Sequence, residues 1–66
     1  MRSTEVGALL TVRDLAARLR VARSTAYSLL WEGKLPYVKV GRRVLVLAED
    51  LQRFIEAHRV EPTLGN

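Results

Sequence analysis

The side chains with the clearest chemical capacity are cations and hydroxyls, and they concentrate between residues 13 and 43. This segment carries eight lysines or arginines against two acids, whereas residues 49–66 carry two cations against four acids. Guanidinium and ammonium groups bind phosphate, and hydroxyls hydrogen-bond to phosphates or base edges. The pattern indicates one face that binds a polyanion. The alternative is that scattered arginines only keep a small domain soluble.

Catalytic and metal chemistry have few candidate residues here. There is no cysteine and a single histidine, His58, so a thiolate nucleophile, a cysteine zinc site and an imidazole pair are all excluded. Ser24 and Ser28 have no histidine placed to activate them. We therefore predict no enzyme, no metal, no cofactor and no small-molecule substrate.

The size of the chain bounds the remaining possibilities. Its 66 residues allow one small domain, and a hydrophobic fraction of 48% is typical of a folded one. The apolar runs are too short to cross a membrane. The composition predicts a basic binding module in the cytoplasm.

Two short helices are predicted to carry the first half of the domain. Thr11 and Asp14 form a capping box before an apolar stripe of helical spacing, which predicts a helix over 12–19. A second helix is predicted over 23–32, with Gly33 as its stop. About three residues join them, as in a helix-turn-helix. The alternative, an ordinary helical hairpin, fits less well because the outward face of the second helix carries hydroxyls and aromatic rings.

A β-hairpin is predicted after the helix pair. The runs 37–40 and 43–47 flank Gly41 and Arg42, which predicts a type II′ turn. No acid occurs between Gly33 and Ala48, so the cationic tip resembles a wing that contacts DNA phosphates or a minor groove. The alternative is a solubilising tip.

A third helix completes the predicted domain over 49–59. Leu51, Phe54 and Ile55 share its core face, and His58 is a partly packed terminal residue. The predicted fold class is mainly α with a small β-hairpin, a reduced winged helix-turn-helix. The predicted domain spans 9–59, between a flexible arm of residues 1–8 and a flexible tail of residues 60–66.

The order of these motifs resembles the excisionase family of small helix-turn-helix proteins, whose fold is a MerR-like winged helix. The resemblance covers residues 9–58. It is carried by these segments: Leu10-Thr11-Val12, Arg23-Ser24-Thr25-Ala26-Tyr27, Leu29, Gly33-Lys34-Leu35-Pro36, Val38-Lys39-Val40-Gly41-Arg42-Arg43 and Asp50-Leu51.

The resemblance implies an architectural, sequence-specific protein that binds double-stranded DNA. Its members bind repeated adjacent sites, bend the DNA and steer a phage or plasmid integrase, a tyrosine or serine recombinase, toward excision. Relatives of the fold are small transcriptional regulators, and a protein-interaction adaptor without DNA binding is the remaining alternative. By position, the implied recognition-helix contacts are Arg23, Ser24, Thr25, Tyr27 and Ser28, and the implied wing contacts are Lys39, Arg42 and Arg43.

Three residues depart from the family pattern. Arg20 stands where a glycine is usual, and Ala22 replaces the serine that caps the second helix. Trp31 occupies a position that is more often polar. Its ring is expected to pack under the hairpin, contact the DNA backbone or meet a neighbouring protein.

Overall fold

The computed structural model describes residues 8–62, and within them three helices pack with one antiparallel sheet. In chain order the elements are β1 (Leu9–Thr11), α1 (Val12–Leu19), α2 (Arg23–Trp31), β2 (Val38–Val40), β3 (Arg43–Leu47) and α3 (Ala48–Ala57). The predicted fold class, mainly helical with a β-hairpin, is confirmed. The predicted arm and tail fall largely outside the described residues, except for Ala8 and residues 60–62.

A third strand, β1, was not predicted. It pairs antiparallel with β3, with Leu9 opposite Leu47 and Leu10 opposite Val46. The Ala48 N–H donates to the Ala8 carbonyl at 2.9 Å, which extends the contact by one step. Three residues give too little alternation to predict a strand, and the partner strand lies near the other end of the chain. The sheet order is therefore β1-β3-β2.

The central position of β3 explains why its residues 44–47 are all apolar. Val46 is completely buried and, with Leu10, faces the helices. Leu45 and Leu47 point to the opposite side and are half-buried there. The hairpin formed by β2 and β3, residues 38–47, is termed the wing below.

One apolar core positions the wing against the helix pair. Its largest fully buried side chains come from α1, α2, the following loop and β3; they are Leu15, Leu30, Leu35 and Val46. Leu51 adds the contribution of α3. Because every element except β2 contributes a buried residue, the orientation of α2 relative to the wing depends on this cluster.

The predicted capping box at the start of α1 is confirmed. The Thr11 N–H donates to Asp14 Oδ2 at 3.1 Å, and the Asp14 N–H donates to Thr11 Oγ1 at 3.0 Å. The hydrogen bond from the Thr11 backbone N–H to the carboxylate, and after it one from the Thr11 side chain, hold the pKa of Asp14 below its ordinary value of 3.8. The ionised carboxylate is therefore the form that the fold favours.

Helices α1 and α2 end in the same hydrogen-bond pattern. After α1, Val21 N–H donates to Ala16 O and Arg20 N–H to Ala17 O; after α2, Lys34 donates to Leu29 and Gly33 to Leu30. Both are Schellman motifs, which require one left-handed residue. That residue is Gly33 after α2, with φ +76°, but Arg20 after α1, with φ 60°.

The turn between α1 and α2 thus carries two local costs. A non-glycine residue in the left-handed region costs about 1–2 kcal/mol. The N-cap of α2 is Ala22, which makes no side-chain capping bond, and a missing cap costs about 1 kcal/mol. Both departures from the family pattern are accommodated without moving the start of α2 from Arg23.

Arg20→Gly is expected to raise the free energy of unfolding by about 1 kcal/mol, because glycine adopts the left-handed conformation without steric conflict. Urea denaturation followed by circular dichroism measures the change in midpoint. Gly33→Ala is the matched control at the equivalent position of α2. An added Cβ there meets no atom within 4 Å, so its expected loss of stability reflects conformation alone. A gain in both variants would contradict this account.

Asp14→Asn is expected to lower the melting temperature near neutral pH. A carboxylate whose pKa is lowered on folding stabilises the fold above its unfolded pKa, and this contribution is lost as pH falls through the folded pKa. The difference in melting temperature between wild type and Asp14→Asn should therefore shrink as the pH falls below about 4. A difference that stays constant down to the most acidic pH measured would show that the Asp14 charge contributes nothing.

Candidate nucleic-acid interface

The outward face of α2 carries the predicted hydroxyl side chains. Ser24, Thr25 and Ser28 are exposed, whereas Ala26 and Leu30 on the opposite side are buried in the core. The buried pair fixes the rotation of the helix and leaves the hydroxyls free to contact a partner.

A cleft of about 240 Å³ lies between the beginnings of α1 and α2 and the tip of the wing. It is termed the arginine cleft, and its lining residues are Thr11, Val12, Arg13, Arg23, Tyr27, Arg42, Arg43 and Val44. Four of these eight side chains are guanidinium groups from three separate elements and one turn. The fold therefore gathers cations that are far apart in the sequence.

The basic residues of the described chain differ in whether they form ion pairs. Lys34, Arg53 and Arg59 form ion pairs with acids at 2.7–3.6 Å. Within residues 8–62, the four arginines of the cleft form no ion pair, and neither do Arg18, Arg20 and Lys39. Acidic partners therefore neutralise cations after α2 and on and after α3, whereas the arginines of the cleft have no ion-pair partner among these residues.

This arrangement is suited to a polyanion. A guanidinium group stays charged at all physiological pH values and binds two phosphate oxygens through parallel N–H donors. A concave surface of one charge sign raises the local concentration of an oppositely charged ligand. The hydroxyl of Tyr27, which is half-buried beside the arginines, adds a neutral hydrogen-bonding group.

The cleft brings together some of the predicted site residues but not all of them. Arg23, Tyr27, Arg42 and Arg43 line it. The predicted contacts outside its lining are Ser24, Thr25 and Ser28 on α2 and the exposed Lys39 on β2.

Sequence reasoning missed Arg13. It counts toward the basic segment, but it lies on α1, outside both the second helix and the hairpin. As the second residue after the Thr11 cap, it lies in the first turn of α1, which borders the cleft. No sequence signal identifies it, because the packing of the core decides that this helix start faces the wing.

His58 lies away from the arginine cleft. Its ring packs on Phe54 with centroids 4.1 Å apart, and its Nδ1 lies 2.9 Å from the Phe54 carbonyl oxygen. This matches the predicted partly packed terminal residue. No metal-binding group of three side chains occurs in the described part of the chain. Across residues 8–62, the helices are too short or too polar to span a bilayer.

Comparison with protein families gives one match, to the family described as "Helix-turn-helix domain", over residues 9–59. The chain belongs to this helix-turn-helix domain family. The matched segment contains α1, α2, the wing and α3.

Two curated relatives of this helix-turn-helix domain come from strains of Mycobacterium tuberculosis. Each is provisionally named a DNA-binding protein: Rv0500A in strain H37Rv and MT0521 in strain CDC 1551. Both are 44% identical over 48 residues, covering 73% of this chain and 62% of the relative. The chain thus spans less than two thirds of their length.

A third relative places a similar segment in a much longer protein. It is the uncharacterized protein YvgK of Bacillus subtilis strain 168, 39% identical over 44 residues. The match covers 67% of this chain and 14% of YvgK. No solved structure gives a significant match.

Proposed function

We propose that this helix-turn-helix domain binds double-stranded DNA, with α2 in the major groove and the wing against the adjacent minor groove. The observation that carries the proposal is the arginine cleft, where α1, α2 and the wing present uncompensated guanidinium groups on one surface. The provisional names of the two mycobacterial relatives point the same way.

Within this proposal, α2 reads base edges. Arg23 stands at the first position of α2 and forms a bidentate pair with guanine. The hydroxyls of Ser24, Thr25 and Ser28 contact bases or phosphates with little discrimination. Tyr27 donates its hydroxyl to a phosphate from inside the cleft.

The wing and α1 supply the contacts that do not depend on sequence. Arg42 lies in the turn, Arg43 begins β3, and Lys39 is exposed on β2. Arg13 reaches the cleft from α1. Contacts with phosphates fix the register of the protein on the duplex but carry no direct sequence information.

The small size of the domain favours cooperative binding. One recognition helix and one wing cover roughly 600–1,000 Å², a single-module footprint. We therefore propose adjacent repeated sites occupied by several copies, which bend the DNA as an excisionase does and steer an integrase toward excision. The face of α3 and the residues after it lie outside the cleft and remain for a neighbouring copy or the integrase. No catalytic role is part of this proposal.

The excisionase role is tested by selecting genomic fragments that the purified protein retains at moderate salt. Enrichment of repeated sites beside an attachment site or an integrase gene supports it. Enrichment at promoters favours the alternative, a small MerR-like transcriptional regulator. If no fragment is retained above background, the chain does not bind DNA by itself. That result favours the alternative of an adaptor that binds a protein partner. A variant with both Arg23→Ala and Arg42→Ala is the control.

DNA affinity is expected to fall steeply with salt. If four to six cations contact phosphates, the logarithm of the association constant falls against the logarithm of salt concentration with a slope of roughly −4 to −5. Fluorescence anisotropy of a labelled duplex measures this slope. Arg13→Ala should reduce it by about one. Arg53→Ala removes the same charge from α3, outside the cleft, and should leave the slope unchanged. Equal effects of Arg13→Ala and Arg53→Ala on the slope would show that Arg13 does not contact a phosphate.

Arg23→Ala and Arg42→Ala are expected to weaken DNA binding with different dependence on the DNA sequence. Arg23→Ala should cost about 1–3 kcal/mol at the preferred site and relax sequence preference, because a guanine contact is lost. Arg42→Ala should weaken all duplexes evenly, because phosphates are the same in every sequence. Titrations with the selected site and a scrambled duplex separate the two outcomes. A uniform loss from Arg23→Ala would contradict this division of roles.

A further inference from the structure

Three aromatic side chains form a continuous row beside the arginine cleft. Tyr27 lines the cleft, Trp31 follows one turn later on α2, and Tyr37 precedes β2. The ring centroids of Tyr27 and Trp31 are 5.6 Å apart, and those of Trp31 and Tyr37 are 5.3 Å apart in an edge-on arrangement. We term this row the aromatic wall. It joins the recognition helix to the segment that enters the wing.

The wall is not part of the core. Trp31 remains 58% exposed and Tyr37 41% exposed, whereas Tyr27 packs against the core with its ring half-buried. Exposed apolar surface carries a cost of about 25 cal/mol per Å² relative to buried surface. The Trp31 ring nonetheless packs against the rings of both tyrosines. A large exposed ring that neighbouring rings support is suited to contact a partner.

The chemistry of the wall suits the backbone of DNA. The Trp31 indole N–H is a donor that forms no hydrogen bond within residues 8–62, and the tyrosine hydroxyls are donors as well. Phosphate oxygens only accept, and the apolar face of deoxyribose packs on aromatic rings. Positive charge stands next to the wall: Arg23, Arg42 and Arg43 line the cleft that Tyr27 shares.

The register of the wing brings a further cation to this side. Lys39 is opposite Val44, and both therefore point to the same face of the sheet. Val44 lines the arginine cleft. The face of the wing that borders the arginine cleft thus carries Lys39 as a further cation.

We propose that Trp31 and Tyr37 are DNA-contacting residues. With Tyr27 they hold the sugar–phosphate strand that passes between the groove occupied by α2 and the groove contacted by the wing. This inference rests on the proposed function and adds a contact surface to it. The competing explanation is a brace, in which the three rings only attach the wing to α2.

The single tryptophan of the chain makes a direct test possible. The wild-type protein is titrated with a two-turn, mixed-sequence duplex at low salt, and binding is followed separately by the anisotropy of a dye on the DNA. Trp31 emission should change at the same DNA concentrations, and quenching of Trp31 by acrylamide should fall by at least half. Acrylamide is neutral, so repulsion from DNA does not affect it.

A matched control moves the tryptophan elsewhere. Val60 is 92% exposed and lies after α3, outside the cleft and the wall. In a variant carrying Trp31→Phe and Val60→Trp, the tryptophan of the protein bound to a duplex too short for a second copy should remain open to acrylamide. Trp31→Ala should weaken binding about tenfold, the loss that corresponds to 1.4 kcal/mol. The DNA affinity of Trp31→Phe, which keeps a ring but lacks the N–H, should lie between those of the wild type and Trp31→Ala.

The outcomes separate this inference from the proposed function. If the dye reports binding but Trp31 emission and acrylamide access do not change, the wall does not contact DNA and the DNA-binding function stands. If Trp31→Ala binds DNA more weakly but DNA does not protect Trp31 of the wild type from acrylamide, the rings are a brace. This outcome overturns the proposed contact between the wall and DNA. If the dye reports no binding at all, the proposed function fails and the inference fails with it.

Discussion

The orientation of α2 relative to the wing depends on one small apolar core, and the candidate interface depends on that orientation. Leu30 attaches α2 to this core and Val46 attaches the wing, both almost without exposure. Among the described residues no buried polar or charged group joins them. The orientation of α2 relative to the wing is therefore determined by the packing of apolar side chains. Loss of a core side chain would cost several kcal/mol in a domain this small, and it would also separate the arginines of the cleft.

The two sides of the domain differ in whether their cations are paired with acids. The cations on and after α3 pair with nearby acids, as in the contact of Arg53 with Asp50 at 2.8 Å. Exposed pairs of this kind add little stability, but they cancel charge locally. The cleft lacks such partners within residues 8–62, so its field extends outward. The face that carries the start of α2 thus presents four guanidinium groups without ion-pair partners among these residues.

The turn between α1 and α2 has two features that lower the stability of the fold locally. Arg20 adopts a left-handed conformation, and Ala22 leaves the start of α2 without a side-chain cap. Arg23, the first residue of α2, follows directly. Local strain beside a binding surface persists when the surrounding core holds it in place. The buried residues Ala16 and Ala26, on either side of the turn, supply that support.

Local chemistry allowed most elements to be predicted from the sequence. The capping box of Thr11 and Asp14, the glycine stop at Gly33 and the turn at Gly41 involve contacts over three or four residues, so sequence alone determines them. The predicted bounds of α1 are the observed ones, and the predicted ends of α2 and α3 differ from the observed ends by at most two residues.

What tertiary structure decided involves partners that are distant in the chain. The pairing of Leu9 with Leu47 created an unpredicted strand, and the apolar run of β3 gained its meaning from a central position in the sheet. The inclusion of Arg13 in the cleft has the same origin. No local pattern shows which surface a helix start will face, because that depends on how the whole core closes. The sequence therefore determined the three helices, the hairpin and the basic segment, whereas the packing of the core decided the strand β1 and which cations meet.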